Sequence, residues 1–345
     1  MNIAGREIGP EQPPYIVAEI GSNHDGRLER ALGLIAIAAR SGANAVKFQH
    51  WTPRKFVSFE ETNEDTLALI QSLAIPPEWT LLLAECAKNA GVAFISTPFD
   101  LERADEIETY VDAYKISSGD ITYHDLIRHV ASKNKPLLLA TGAANEEDVD
   151  AAIGAYLNGT ADREPPEYGQ DLVLLQCNAD YSGNMEGLRH QNLRVLRYWA
   201  DTYYSLRGIS DHTPGHVAAC AAVALGGCVV EKHLTDDRSR SGPDHSFAME
   251  PDDFRKMVSA CRWTWEALGD GAKKVEANEE QTVMRRALRW FSTLPEGHIV
   301  DADDLDVTRP CPPEALAPYH TSEVVGRSLR RLVERDTLVR LEDLE

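Results

Sequence analysis

The stretch Leu206–His233, LRGISDHTPGHVAACAAVALGGCVVEKH, decides how the rest of the chain is read. Two short apolar runs, Leu206–Ile209 and Cys228–Val230, each lead into polar residues and then a histidine. Between them His216–Leu225 has helical length and periodicity, and Gly226-Gly227 stands where a helix should stop, as glycine does beyond a C-cap. Strand, polar loop, helix and strand in that order make a βα unit. The two histidines are His212 in Ser210-Asp211-His212-Thr213 and His233 in Glu231-Lys232-His233.

Outward from this unit the same alternation runs from Tyr15 to about Leu268. The spacing predicts strands at Ile16–Ile20, Ala45–Gln49, Val92–Ser96, Ala113–Ser117, Pro136–Ala140, Leu172–Gln176, Leu206–Ile209 and Cys228–Glu231. Helices are expected at Arg30–Ser41, Pro77–Ala90, Glu102–Tyr110, Asp125–Lys133, Glu146–Leu157, Gly187–Ala200, His216–Leu225 and Pro251–Leu268, with Gly42 and Gly91 as further stops. Eight βα units over about 255 residues is the count of a (β/α)₈ TIM barrel. A doubly wound open sheet uses the same units, but its eighth strand would be unusual.

The charged, non-periodic Gly269–Gln281 reads as a linker. The expected organisation is a catalytic barrel over 1–268, a linker over 269–284 and a small β-rich domain over 285–345. Within the last, Ala287–Phe291, Ile299, Leu305–Val307 and Val324–Leu332 are apolar pieces between turns. Pro310–Pro313 and Asn158–Gln170 read as loops, the second as a surface insertion.

Of the 345 residues, 43% are hydrophobic, ordinary for a soluble globular chain, and 35 basic against 55 acidic side chains give a formal charge of −20. Such a field repels nucleic acid and anionic membranes, so an anionic substrate needs a local cationic pocket. The cysteines Cys86, Cys177, Cys220, Cys228, Cys261 and Cys311 are scattered without a CxxC pair, and are expected reduced and buried. No charged leader precedes an apolar core and no apolar run has membrane-spanning length, so a cytoplasmic location is expected.

In a parallel barrel the chemistry sits at the C-terminal ends of the strands. Polar residues collect there: Glu19, Lys47, Gln49, Thr97, Lys115, Ser118 and Thr141, then Asn178, Tyr181, Asp211, His212, Glu231 and His233. A charge inside an apolar strand demands a partner. Lys47 and Lys115 are therefore either members of buried salt bridges or, with Thr97, Ser118 and Thr141 as hydroxyl donors, a site for phosphate or carboxylate. Glu19 either neutralises a lysine or serves as acid or base beside a reacting carbon.

His212 and His233 are either hydrogen-bonded imidazoles or metal ligands. With nearby carboxylates they suit Mn²⁺, Fe²⁺ or Zn²⁺, and their spacing requires a site assembled by tertiary structure. In the second case Asp211 and Glu231 are expected to fix the histidine tautomers. Asp244 in Gly242-Pro243-Asp244-His245 is a turn residue, or a carboxylate that grips sugar hydroxyls or a metal-bound water. Ser22-Asn23-His24-Asp25-Gly26 has the composition of a βα turn.

Taken together, these motifs resemble the sialic acid synthase family, the phosphoenolpyruvate-condensing enzymes that make nine-carbon 2-keto sugar acids. The resemblance is carried by Ala18–Gly26, Gly42–Gln49, Ser96–Asp100, Tyr114–Asp120, Ser210–Thr213, Glu231–His233 and Gly242–His245, in order. It continues into Arg286–Leu344, with Leu305-Asp306-Val307-Thr308-Arg309-Pro310, which resembles the antifreeze-like (SAF) domain that ends these synthases.

The resemblance implies a metal-dependent condensation of phosphoenolpyruvate with an aldose, N-acetylmannosamine or a related amino sugar, releasing phosphate by C–O cleavage. It implies His212 and His233 as ligands of a divalent metal, Mn²⁺ or Mg²⁺, with Co²⁺ or Fe²⁺ as further candidates. Together with Glu19 they form the catalytic set. Lys47, Thr97, Lys115, Ser118, Thr141 and Ser210 are implied at the phosphoenolpyruvate site, and Gln49, Asp120, Tyr181, Asp244 and Arg309 at the acceptor. A domain-swapped homodimer is also implied.

The chain departs from the family pattern in four places. Ala140-Thr141-Gly142 stands for the usual Ser-Thr-Gly, Asp120 for a common glutamate, and Cys177–Gly183 for a Thr- and Tyr-Pro-containing loop, while Arg309-Pro310-Cys311 lacks a glycine. These positions bear on the acceptor more than on the chemistry. Three alternatives are the same chemistry on a non-standard aldehyde, a class I aldolase using Lys47 or Lys115 as a Schiff-base lysine, and a non-catalytic sugar-binding protein. Because histidines must be neutral to bind metal, activity is expected to fall at acidic pH.

Overall fold

The computed structural model of the chain describes residues 1–161 and 171–345. A short hairpin, β1 (Asn2–Ile3) and β2 (Arg6–Glu7), precedes eight strands: β3 (Tyr15–Glu19), β4 (Ala45–His50), β5 (Ala93–Pro98), β6 (Ala113–Ile116), β7 (Leu137–Ala140), β8 (Leu172–Cys177), β9 (Leu206–Asp211) and β10 (Val229–His233). All are parallel and pair in chain order, and β10 returns to β3 from Val229↔Tyr15 to His233↔Glu19. That last pairing closes a barrel and excludes the open sheet.

The helices are α1 (Leu28–Arg40), α2 (Pro53–Phe56), α3 (Glu64–Leu73), α4 (Pro77–Asn89), α5 (Leu101–Ile107), α6 (His124–Ala131), α7 (Glu146–Gly159), α8 (Val195–Thr202), α9 (Val217–Ala224) and α10 (Pro251–Leu268). In the unit quoted first, Gly226 follows α9 with φ +88°, a conformation costly for any residue with a Cβ.

Alternation along each strand divides the core in two. Outward residues such as Ile16, Ala18, Val46, Phe48, Leu174, Ile209 and Val230 pack with Leu34, Ile35, Leu83, Ala222 and Met257 of the surrounding helices. Inward residues Val17, Ala45, Ile95, Ala113, Val173 and Val229 fill the lower barrel together with Ile3 and Ile8. Two positions further along, the same inward rows become polar: Val17 is followed by Glu19, Ala45 by Lys47, Ala113 by Lys115, and Val229 by Glu231 and then His233.

Some expectations change. The helix read at Gly187–Ala200 is instead a 3₁₀ segment, Met185–His190, followed by α8. Asn192 between them has φ +45°, a left-handed conformation that asparagine tolerates and that interrupts the helix. The connection from β4 to α4 contains α2 and α3, where no element was expected. Asn158 and Gly159 complete α7, and residues 162–170 of the expected surface insertion lie outside the described residues.

The chain divides into two compact units, Met1–Gly269 and Asp270–Glu345. In the second, Gln281–Met284 forms one helical turn within the expected linker, and an antiparallel pair, β11 (Ala287–Trp290) with β12 (Leu305–Thr308), is joined by isolated bridges such as Leu294↔Val333. Its core gathers Leu288, Trp290, Leu294, Val300, Val324 and Val339. Within the apolar piece Val324–Leu332, Val324 ends a helical turn, Thr321–Val324, and Ser328 and Leu329 make isolated bridges to Ile299 and Leu344. All six cysteines are free, but Cys86, Cys220 and Cys311 are only half-buried. Among the described residues no single helix is long and apolar enough to cross a membrane.

Candidate active site at the barrel mouth

A cleft of about 530 Å³ opens at the C-terminal ends of the strands. Its wall includes Glu19, Lys47, Gln49, Lys115, Ser118, Asp120, Tyr181, Ser210, His212, Glu231, His233 and Asp244, which the strand ends and following loops bring together from six barrel strands.

At its floor lie four buried charges. Lys47 Nζ is 2.7 Å from Glu19 Oε2 and 3.6 Å from Glu231 Oε1, and donates to Thr97 Oγ1 at 3.2 Å. Lys115 Nζ donates to both Glu231 oxygens at 2.9 and 3.1 Å. Gln49 Nε2 donates to Glu19 Oε1 at 2.7 Å, and Ser210 Oγ to Glu231 Oε1 at 3.0 Å. Two ammonium groups and two carboxylates give a formally neutral quartet. The lysines thus form the buried salt bridges that one sequence reading anticipated, and they do so on the wall of an open cleft.

Electrostatically the two carboxylates differ. Burial alone would raise Glu231, but Lys115 and Lys47 hold it down at about 2. Glu19 is raised above its ordinary value, burial outweighing Lys47. Burial would lower Lys47, but Glu19 and Glu231 together raise it. Glu19 is therefore the quartet member most ready to take a proton. At the mouth, burial lifts Asp120 to about 6.

The histidine rings lie with centroids 5.3 Å apart, bordered by Phe247 at 5.9 Å from His212 and 4.9 Å from His233. Tyr181 packs edge-on to His212 at 4.6 Å. Burial pushes His212 down to about 3 and His233 to about 4, so both are neutral at ordinary pH. His212 Nδ1 is 3.3 Å from the Asn178 carbonyl, which only accepts, so Nδ1 carries the hydrogen and Nε2 is the nitrogen left for coordination. His233 Nδ1 is buried without a hydrogen-bond partner, 4.0 Å from Asp244 Oδ2.

These donors fit a divalent ion. Among the described residues no group of three or more His, Cys, Asp or Glu side chains forms a protein-only site, so an ion here would draw further ligands from water or substrate.

Asp244 is fixed by the loop after β3. Ser22 N and Oγ donate to its Oδ2 at 2.9 and 2.8 Å. Gly21 permits this approach: its φ is +51°, and a Cβ there would stand 2.5 Å from Asp244 Oδ2. The neighbouring His245 ties the same loops together, through Thr235 Oγ1 at 2.7 Å and Asp25 Oδ1 at 2.9 Å.

Three expectations are corrected by geometry. Asp211 does not touch either histidine: it faces outward from the barrel and pairs with Lys232 at 2.7 Å. Glu231 binds the two lysines rather than a ring nitrogen. Thr141 turns its hydroxyl to the Leu175 carbonyl at 3.1 Å and is not on the cleft wall. Ser118 Oγ accepts from Gly142 N at 3.0 Å. Arg309 lies in the C-terminal unit, where its Nε donates to the Met284 carbonyl at 2.6 Å.

The sequence reading also missed an aromatic wall. Phe56 and Phe99 line the cleft beside Lys55, with ring centroids 4.8 Å apart, and Trp51 stacks on Phe56 at 5.3 Å. Trp51-Thr52-Pro53 directly follows β4, so Pro at a helix start was the available signal.

Comparisons with known proteins find relatives over most of the chain. The profile of the NeuB family matches residues 34–273, and that of the SAF domain residues 292–345. An N,N'-diacetyllegionaminic acid synthase of Campylobacter jejuni is 33% identical over 339 residues, covering 94% of this chain and 98% of that protein. A pseudaminic acid synthase of the same species is 30% identical over 336 residues, covering 93% of each. The crystal structure of the N-acetylneuraminic acid synthetase of Leptospira borgpetersenii in complex with citrate aligns with a TM-score of 0.73 at 29% identity, over 81% of this chain and 93% of that one. With a barrel matched over most of its length and a tail matched as a SAF domain, the chain belongs to the NeuB family.

Proposed function

We propose that this protein condenses phosphoenolpyruvate with an open-chain aldose, N-acetylmannosamine or a related amino sugar, to give a 2-keto-3-deoxy nonulosonic acid and phosphate. The observation that carries the reading is the neutral quartet Glu19–Lys47–Glu231–Lys115 beside two neutral histidines in one cleft of a NeuB-family barrel.

In this reading C3 of phosphoenolpyruvate forms a bond to the aldehyde carbon, and the aldehyde oxygen takes a proton. Positive charge develops at C2, water adds there and loses a proton, and the C2 hydroxyl so formed passes its remaining proton to the departing phosphate as the C2–O bond breaks with its electron pair on phosphate, leaving the ketone. Lys47 and Lys115 hold the anionic groups of phosphoenolpyruvate, with Ser118 and Ser210 as hydroxyl donors. Glu19 stands beside C2, stabilises the developing charge and takes the proton of the attacking water. Gln49, Asp120, Tyr181 and Asp244 contact the acceptor. His212 and His233 would hold the divalent metal, which when bound would polarise the acceptor aldehyde as a Lewis acid.

The test is phosphate release from phosphoenolpyruvate with Mn²⁺ across a panel of aldoses that includes N-acetylmannosamine. Steady release with an acylamino aldose is expected, abolished by chelator and restored by Mn²⁺, Mg²⁺, Co²⁺ or Fe²⁺. No release with any acceptor from folded, metal-loaded protein rejects the reading. A Schiff-base aldolase using Lys47 is disfavoured because Glu19 and Glu231 keep that lysine protonated, while Lys115, lowered by burial, is held by both oxygens of Glu231. Borohydride with pyruvate is accordingly expected to trap no adduct.

The family resemblance also supports a domain-swapped homodimer and an acceptor contact from Arg309. Molar mass in solution checks the first. Arg309→Ala checks the second: the acceptor KM is expected to rise while the phosphoenolpyruvate KM stays unchanged.

A further inference from the structure

Behind the two histidines, on the outer surface of the barrel, lies a buried ion pair that the proposed reaction does not use. Lys232 and Asp211 face each other across the β9–β10 register, where Lys232↔Asp211 is a paired position. Lys232 Nζ donates to Asp211 Oδ2 at 2.7 Å and also to the Thr213 carbonyl. Asp211 Oδ1 accepts from Thr213 N at 2.9 Å and from Thr213 Oγ1 at 2.7 Å. All three residues are at most 3% exposed.

His212 is the residue between Asp211 and Thr213, and His233 directly follows Lys232. One ammonium group therefore fastens both backbone neighbours of the first histidine to the strand that carries the second. Strand alternation turns the ion pair outward and both imidazoles inward, so the pair fixes ring separation without touching either ring. A slip of one of these strands by one residue would turn its histidine out of the cleft, and an ion pair at a paired position opposes that slip.

We propose that Lys232 and Asp211 are positioning residues that hold His212 and His233 at the spacing needed to share one divalent ion. The proposal rests on the metal assignment made above. A buried ion pair has a second consequence, since removing one partner alone strands a charge in an apolar layer. The working variant is therefore Lys232→Met combined with Asp211→Asn, in which the asparagine oxygen still accepts from Thr213.

The experiment compares this full-length double variant with wild type in three measurements: thermal midpoint, affinity for Mn²⁺ alone, and affinity for phosphoenolpyruvate without metal. For the folded variant, Mn²⁺ affinity is expected to fall about 10- to 100-fold, as when a partner that orients a ligand is lost, with phosphoenolpyruvate affinity changed less than about twofold. Unchanged Mn²⁺ affinity, or equal loss of both affinities, overturns the proposal.

The imidazole ¹⁵N–¹H correlations of metal-free protein separate the two layers of inference. If wild type binds no Mn²⁺, the metal assignment fails while ring order still decides the clamp. One sharp set of signals for each of His212 and His233 in wild type, doubled or broadened in the variant, supports it. Identical spectra overturn it. Should the double variant not fold, Lys232→Arg, which keeps the charge, takes its place: near wild-type Mn²⁺ affinity and sharp ring signals support the clamp, and loss of either overturns it.

Discussion

Glu19 shows how far a single residue is defined by its neighbours. Its carboxylate is buried, lies 2.7 Å from Lys47, and is nonetheless raised above its ordinary value. An incoming phosphoenolpyruvate anion would compete for Lys47 and add negative charge to a site that is already balanced, which raises Glu19 further. Binding is therefore expected to be accompanied by proton uptake, and affinity to weaken as pH rises; the proton taken up passes on to the aldehyde oxygen as the C–C bond forms, so that Glu19 is again a carboxylate when water attacks C2. Calorimetry in buffers of different ionisation enthalpy measures this directly. Glu19→Gln should abolish the uptake, leave phosphoenolpyruvate bound, and lower kcat about 10²- to 10⁴-fold, the usual range for a lost acid–base group. Glu19 and the lysines were legible as site candidates because charges are foreign to barrel strands. The role of Glu231 was not, although its parity with His233, two residues on, already placed both on the inward face.

At the scale of elements, the loop after β3 matters as much as the strands. Gly21, at φ +51°, lets Ser22 grip Asp244 through two hydrogen bonds. Gly21→Ala is expected to cost about 1–2 kcal/mol, the strain of a left-handed conformation in a residue with a Cβ. Because the new Cβ would also displace Asp244, acceptor kcat/KM should drop at least tenfold while phosphoenolpyruvate KM holds. Urea unfolding and kinetics with each substrate varied check the two parts. The composition of this loop marked it as a turn, and the resemblance of Ala18–Gly26 marked it as a motif, but neither gave its partner. Its contact with Asp244, 222 residues later, exists because β10 closes the barrel against β3.

For the whole molecule, the barrel carries five buried histidines held below their ordinary value of 6.5, chiefly by burial: His24 at about 4, His50 at about 3, His245 lowered as well, and, in metal-free protein, His212 at about 3 and His233 at about 4. Between pH 6.5 and these values the unfolded chain binds protons that the folded chain refuses, so stability rises with pH and is lost as pH falls through that window. Each histidine contributes a slope of up to about 1.4 kcal/mol per pH unit there. Urea midpoints of metal-free protein should accordingly decline steeply from pH 6.5 toward 4. The fall of activity in acid expected from metal-ligating histidines should come well below pH 6.5, since the rings stay neutral until about pH 4.

The sequence by itself determined the repeating βα pattern and the small C-terminal unit, because periods of 2 and 3.6 and glycine stops are local properties of a chain. It also determined which residues stand at strand ends, since a polar residue that closes an apolar run is visible without a partner. The tertiary structure alone decided the pairings. Lys115 meets Glu231 across the barrel although 116 residues separate them, and Asp211 meets Lys232 on the outer face instead of a histidine. Those contacts depend on barrel closure and on strand register, which set distances between residues remote in sequence, and no local pattern encodes such distances.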